Sequence, residues 1–310
     1  MWKPIYQPEP WPQFVKRKEI APLPLMEQRK KYLEEQMLFE NYISSVNTMN
    51  TLNTMNTLKA GAAGGPSPDP SYVLTNATIQ AASALWFTNQ ALAEERYGLI
   101  GNWDVSRVTE FEDVFSVPDN GVPNTFNEDI SGWNMSNATD LQEMFQGQTF
   151  FNQDLSNWDV SNVTNFNDTF KECAAYNNGG VNLNSWDVSS ATNMSGMFDQ
   201  ASVFNQAIGD WDTINVTTFS KMFKDAAAFN QDLSSWQVQN CSDFTSILDD
   251  SAMSTTNYDA LLNGWSALTF VSTGLQFGAA GVNYTAAGAA AHGVLTGAPN
   301  SWTITDAGQV

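Results

Sequence analysis

Carboxylates are the residues best equipped for chemistry in this chain, and they come at regular intervals. Asp104, Asp159, Asp187 and Asp212 each follow a tryptophan, and Asp129, Asp154 and Asp232 each precede one by four positions. Stacked carboxylates offer hard oxygen ligands of the kind calcium takes, and a pair of them is what glycoside hydrolysis uses. Against calcium, the sequence has no twelve-residue calcium loop and no G-G-x-G-x-D repeat. Against catalysis, an acid or base needs a singular, partly buried environment, and these aspartates recur unit by unit. They read as turn formers whose side chains accept neighbouring backbone N–H groups. The expectation is no enzyme activity, no cofactor and no metal centre, with calcium at the Asp-rich turns as the alternative.

The remaining reactive residues are few. Cys173 and Cys241 are far apart in the chain and fall at different places in the pattern below, so each is expected as a small buried group and not as half of a disulfide. His292 lies in AAGAAAHGVL with no His, Cys or Asp motif around it. N-x-S/T triplets begin at Asn76, Asn134, Asn137, Asn162, Asn167, Asn193, Asn215 and Asn240, and are expected to serve as caps and turns.

These residues sit on a repeat. Tryptophan falls at 103, 133, 158, 186, 211 and 236, with spacings of 30, 25, 28, 25 and 25. Twelve residues after each comes Phe115, Phe145, Phe170, Phe198, Phe223 and Leu248. A period of this length signals units that bury their apolar faces against their neighbours. Within one unit, Leu155, Trp158 and Val160 are expected to form a short strand. Phe166, Thr169 and Phe170 share one helical face, with Thr164 and its equivalents Thr139, Thr192 and Thr217 as helix caps. Return loops carry F-N before the next tryptophan, as at Phe126-Asn127, Phe151-Asn152, Phe204-Asn205 and Phe229-Asn230. The unit starting at Trp158 is expected to break this with NNGGVN (177–182), and the unit starting at Trp103 inserts PDNGVPN (118–124). Both insertions are candidate contact loops.

The phrase W-D-V-S-x-V-T-x-F/M-x-x-x-F, followed by F-N-Q-D-I/L-S-x-W, resembles the BspA-like leucine-rich-repeat surface proteins over about residues 72–310. The resemblance implies a leucine-rich-repeat fold, a role in surface display or adhesion, and no chemistry. Many such repeats place an Asn or Cys ladder after the strand. Here that position holds Val108, Ala138, Val163, Ala191, Val216 and Cys241, so the ladder does not carry over as a whole. The fold class expected is an α/β repeat solenoid of six leucine-rich-repeat-like coils. Residues 72–102 form a helical N-terminal cap built on Ile79, Ala82, Leu85, Trp86 and Leu92, and 103–250 form the array. Residues 251–310 form an α/β C-terminal cap with Tyr258, Leu261, Leu262 and Trp265 on a helix and SWTITDAG as an edge strand.

Composition separates a further module. Residues 1–70 hold 8 of the 13 basic residues, 7 acidic residues and 9 of the 12 prolines, for a charge of +1, leaving 5 − 26 = −21 for residues 71–310. An acidic balance with so few cations argues against nucleic acid as a partner. No apolar run is long enough to span a bilayer, and MWKPIYQPEPWPQF lacks a basic-then-apolar secretory pattern. Residues 1–46 read as an extended Pro-rich arm followed by an amphipathic helix. The arm is either a disordered tail or an anchor that sinks Trp2, Tyr6, Trp11 and Phe14 into a partner. The helix stripe of Leu33, Met37 and Leu38 suits either self-association into a homo-oligomer or docking. Residues 47–71 are a low-complexity linker.

The expected function is a non-enzymatic virion structural protein, a capsid decoration or fibre. Residues 1–46 would anchor it to capsid or tail protein, and the arm loosely resembles segments of tailed-phage structural proteins. The repeats would be displayed towards a host-surface protein or glycan. Assembly in the host cytoplasm and a place on the virion surface follow from that reading. The alternative is a bacterial or protist cell-surface adhesin.

Overall fold

The computed structural model describes residues 73–120 and 122–310. The anchor residues Trp2, Tyr6, Trp11, Phe14, Leu33, Met37 and Leu38 lie outside them. Within the repeats the apolar positions form three inward columns. Trp103, Trp133, Trp158, Trp186, Trp211 and Trp236 are each 1–3% exposed, and Phe115, Phe145, Phe170, Phe198 and Phe223 are fully buried. The phenylalanines stack face to face from repeat to repeat at 5.4–5.9 Å. A second ring column, Phe126, Phe151, Tyr176, Phe204 and Phe229, stacks at 5.7–6.1 Å. Inside each repeat the two columns touch at 3.7–4.2 Å. Burial of large rings dominates the energetics of such a core.

The backbone joins neighbouring repeats in parallel. Single bridges run Glu110 to Asp140, Asn165, Asn193, Thr218 and Asp243 in succession. The expected strand at Leu155–Val160 is not formed. Trp158 and Val163 donate their N–H groups to Leu155 O and Val160 O three residues back, so the alternation reflects turns at a buried corner.

The expected short helices are also absent. Leu141, Glu143, Phe145 and Gly147 donate N–H groups forward to Asn165, Asn167, Thr169 and Lys171 of the next repeat, at 2.8–3.0 Å. Met144, Gln146 and Gln148 donate back to Leu141, Glu143 and Phe145. Half of the segment's donors thus leave the repeat, which an α-helix forbids. From the second repeat onward positive φ recurs twice per repeat, at Glu143 (55°), Asp168 (52°) and Lys221 (60°), and again at Glu172 (61°), Gln200 (61°) and Asp225 (57°). These left-handed residues break a right-handed helix. The i, i+3, i+4 spacing marks a chain of three-residue turns here, because such turns bring the same positions to one face. The threonines consequently do not cap helices. Thr139, Thr164, Thr192 and Thr217 donate their hydroxyls to Thr109, Thr139, Thr164 and Thr192 O of the preceding repeat, at 2.9–3.2 Å.

Both ends are closed by regular elements. At the N-terminal side β1 (Val73–Thr75) pairs in parallel with β2 (Asp104–Arg107). The helix expected there is two, α1 (Ile79–Thr88) and α2 (Gln90–Tyr97), divided at Asn89, whose side chain accepts the N–H of Leu92 as an N-cap. A single helical turn, α3 (Val117–Asn120), starts the insertion of the first repeat. At the C-terminal side α4 (Thr255–Ser266) buries Tyr258, Leu261, Leu262 and Trp265. The chain then forms β3 (Gln276–Ala279), α5 (Ala286–Thr296) and β4 (Thr303–Asp306), with β3 and β4 parallel. The array feeds directly into β3, since Phe244 bridges to Phe277 and Leu248 N–H donates to Gly278 O at 2.9 Å.

Candidate functional site

The polar side chains of the array are organised as ladders between repeats. In the first, each indole reaches back. The Nε1–H groups of Trp133, Trp158, Trp186, Trp211 and Trp236 donate to Ile100, Ile130, Leu155, Leu183 and Ile208 O, at 2.8–3.1 Å. Trp265 on α4 continues it with Leu233 O at 3.1 Å, a sixth rung from a tryptophan that the six-tryptophan period did not include. A buried indole N–H without an acceptor is destabilising, so this register is strongly favoured.

A second ladder runs through the return loops. Asn152, Asn177, Asn205 and Asn230 donate backbone N–H groups to Oδ1 of Asn127, Asn152, Asn177 and Asn205, at 2.8–3.0 Å. Gln153, Gln206 and Gln231 donate Nε2 to the carbonyls of Asn127, Asn177 and Asn205. The unit with NNGGVN does not interrupt the F-N pattern: Tyr176-Asn177 fills the rung and the insertion starts after it. Buried Asn178 fixes that insertion, accepting the N–H of Leu155 at 2.7 Å and donating to Val181 O at 2.8 Å. An asparagine ladder is therefore present, displaced from the strand-following position, whose Val, Ala and Cys residues are buried at 0–1% exposure. Its signal was the F-N-Q triplet, which sequence reasoning used only to mark the loop.

The aspartates close turns. Oδ1 of Asp104, Asp129, Asp154, Asp159, Asp187 and Asp232 accepts the N–H of the serine two residues on, at 2.9–3.1 Å. Hydrogen bonds from Ser106, Ser131 and Ser189 hold the carboxyls of Asp104, Asp129 and Asp187 below the usual range. Among the described residues no group of three or more His, Cys, Asp and Glu side chains is placed to hold a metal ion. Most of the triplet asparagines are also committed. Nδ2 of Asn137, Asn162, Asn215 and Asn240 donates to Ser106, Ser136, Ser189 and Ile214 O of the preceding repeat, at 2.8–2.9 Å.

Asp199 departs from this pattern of satisfied groups, as do Gln146, Gln239, Ser251 and Trp302, each of which buries a side-chain polar atom with no hydrogen-bond partner. Asp199 exposes 5% of its surface, and its Oδ1 has no hydrogen-bond partner. Burial raises its carboxyl above the ordinary value, opposed by the charges of Lys224 and Lys171. Both cysteines are free thiols. Burial pushes Cys173 far up and Cys241 up to about 12, leaving neither as a nucleophile. His292 lies on α5 with Nε2 3.4 Å from Asp306 Oδ2, its ring stacked on Tyr284 at 4.6 Å, while Tyr258 donates its hydroxyl to Asp306 at 3.0 Å. This cluster ties α4, α5 and β4 together inside the C-terminal cap. An open groove of about 430 Å³ beside the N-terminal cap is lined by Trp86, Gln90, Glu94, Leu99, Glu128 and Asp129 among others. Among the described residues no helix is long and apolar enough to cross a membrane.

Comparison with known proteins adds one relationship. The family described as Mycoplasma protein of unknown function, DUF285, matches twice, over residues 83–182 and 179–280. No curated protein and no solved structure matches the chain. The two matches divide the array between them and together span more than half of the chain. It belongs to the DUF285 family.

Proposed function

We propose that this protein is a non-enzymatic structural protein, a solenoid of leucine-rich-repeat-like coils presented at a surface. The observation that carries the reading is the use made of the polar side chains. Trp, Thr, Asn and Asp groups with chemical potential are committed to rungs and turns repeated from unit to unit, and an enzyme needs a constellation that occurs once. A stack held this way suits rigid display. In its specific form the reading is a virion decoration or fibre protein. Residues 1–46 anchor it to capsid or tail protein, and the acidic array projects outward toward a host-surface protein or glycan. The abrupt change from +1 over residues 1–70 to −21 over the rest supports two modules with separate tasks. The family's description names Mycoplasma, a cellular organism. That favours a second reading, a bacterial cell-surface adhesin with the same array as its binding part.

The test is incorporation into particles of the full-length chain and of a variant with Trp2, Tyr6, Trp11 and Phe14 all replaced by Ala. Loss of incorporation in the variant, with unchanged thermal unfolding, supports the anchor. Equal incorporation of both overturns it. Attachment of both proteins to cells without any particle component supports the adhesin reading.

A further inference from the structure

The surface beside the asparagine ladder differs chemically from the rest of this acidic domain. The residue before each return-loop ring forms a strip across four repeats: Phe150, Ala175, Val203 and Ala228. Phe150 is 61% exposed and Val203 45%, while the two alanines are half-buried. Neighbours are held side by side, with Ala175 N–H donating to Thr149 O at 3.1 Å and Ser202 Oγ donating to Ala174 O at 3.2 Å. A solvent-facing phenylalanine in an apolar row is the kind of feature that marks a contact surface.

The amide row follows two residues on. The ladder uses each Asn Oδ1 as acceptor and each Gln Nε2 as donor, as where Gln231 donates to Asn205 at 2.8 Å. It makes no use of the Nδ2 donors of Asn152, Asn205 and Asn230 or the Oε1 acceptors of Gln153, Gln206 and Gln231. Three of the four repeats therefore add neutral hydrogen-bonding capacity of this kind next to the apolar strip. Across these four repeats neither row contains a charged residue, although residues 71–310 carry 26 acidic groups. The rings beneath repeat at 5.7–6.1 Å, a spacing on the scale of one pyranose in an extended chain.

We propose that this face binds a neutral, extended polysaccharide laid across the repeats, one sugar residue to each. The C–H face of a pyranose packs on the apolar strip and its hydroxyls exchange hydrogen bonds with the amide row. Anionic chains are disfavoured by the domain's charge, and cationic ones find no carboxylate within the strip. The inference rests on the display reading and names its target, but does not involve the anchor.

The test is affinity electrophoresis and titration calorimetry on the full chain with soluble linear glucans, mannans and galactans, and a polyuronate for comparison. Variants Phe150→Ala and Val203→Asp change exposed side chains and leave the core intact. Asp187→Asn, at the tryptophan corner, is the control. The expected result is retention by at least one neutral polysaccharide, weakened tenfold or more by each strip variant and unchanged by the control. Retention by none, retention only by the polyuronate, or equal effects of all three variants would overturn the proposal. A failure here leaves the particle-incorporation result standing, and a failure of incorporation leaves the sugar result standing.

Discussion

At Trp158 one side chain does two jobs, filling the core and bonding the previous repeat through Ile130 O at 3.1 Å. Trp158→Phe keeps a ring and removes the donor, leaving Ile130 O with the N–H of Trp133 as its remaining partner. Equilibrium unfolding in urea should show a loss of about 0.5–1.5 kcal/mol from the hydrogen bond. Asp199 gives the opposite sign. Its raised folded-state pKa means that the folded protein prefers the neutral carboxyl, so its contribution becomes unfavourable as pH rises from the unfolded-state pKa through the folded one. Asp199→Asn should therefore raise the melting temperature at neutral pH. Below the ordinary carboxylate range, where both states are protonated, the gain should vanish. Thermal melts of both proteins from acid to neutral pH decide it. The burial of the ring positions was legible from the period alone, because only apolar residues recur there. Asp199 was not legible, since its trouble comes from which side chains neighbouring repeats place around it.

At the scale of the element, the repeated segment is a series of turns whose alternate N–H groups leave for the next repeat. Sequence spacing could not separate this from a helix, because turns and helices put i, i+3 and i+4 on one face. The distinguishing clue lies at the left-handed positions. Gly196 has φ 61° there, and a Cβ at that site would collide with the Asp168 carboxylate. Gly196→Ala should lower the melting temperature, whereas a helix-forming segment would be stabilised by it. The asparagine ladder was visible as a motif but not as a bond, since the rung joins residues 25 apart at Asn205 and Asn230. Asn205→Ala removes the acceptor of Asn230 N–H, a solvent-exposed rung, and should cost about 0.5–1.5 kcal/mol in urea unfolding.

Over the whole array, stability comes from contacts between successive repeats and from the caps that finish each ladder. At the start Asn76 Oδ1 accepts the N–H groups of Thr109 and Glu110, standing in for a preceding repeat. At the end Ser254 donates to Asn230 Oδ1 and Trp265 to Leu233 O. A stack of this type should lose stability steeply when an interior ring column is cut and hardly at all when a surface side chain is trimmed. The most direct measurement is equilibrium unfolding of Trp158→Ala beside Asn157→Ala, adjacent positions of opposite burial. The account predicts a loss of about 3–5 kcal/mol for the first and within about 0.5 kcal/mol of no change for the second. Equal effects from the two would contradict the repeat register on which the ladders, and the reading of the protein as a display scaffold, depend.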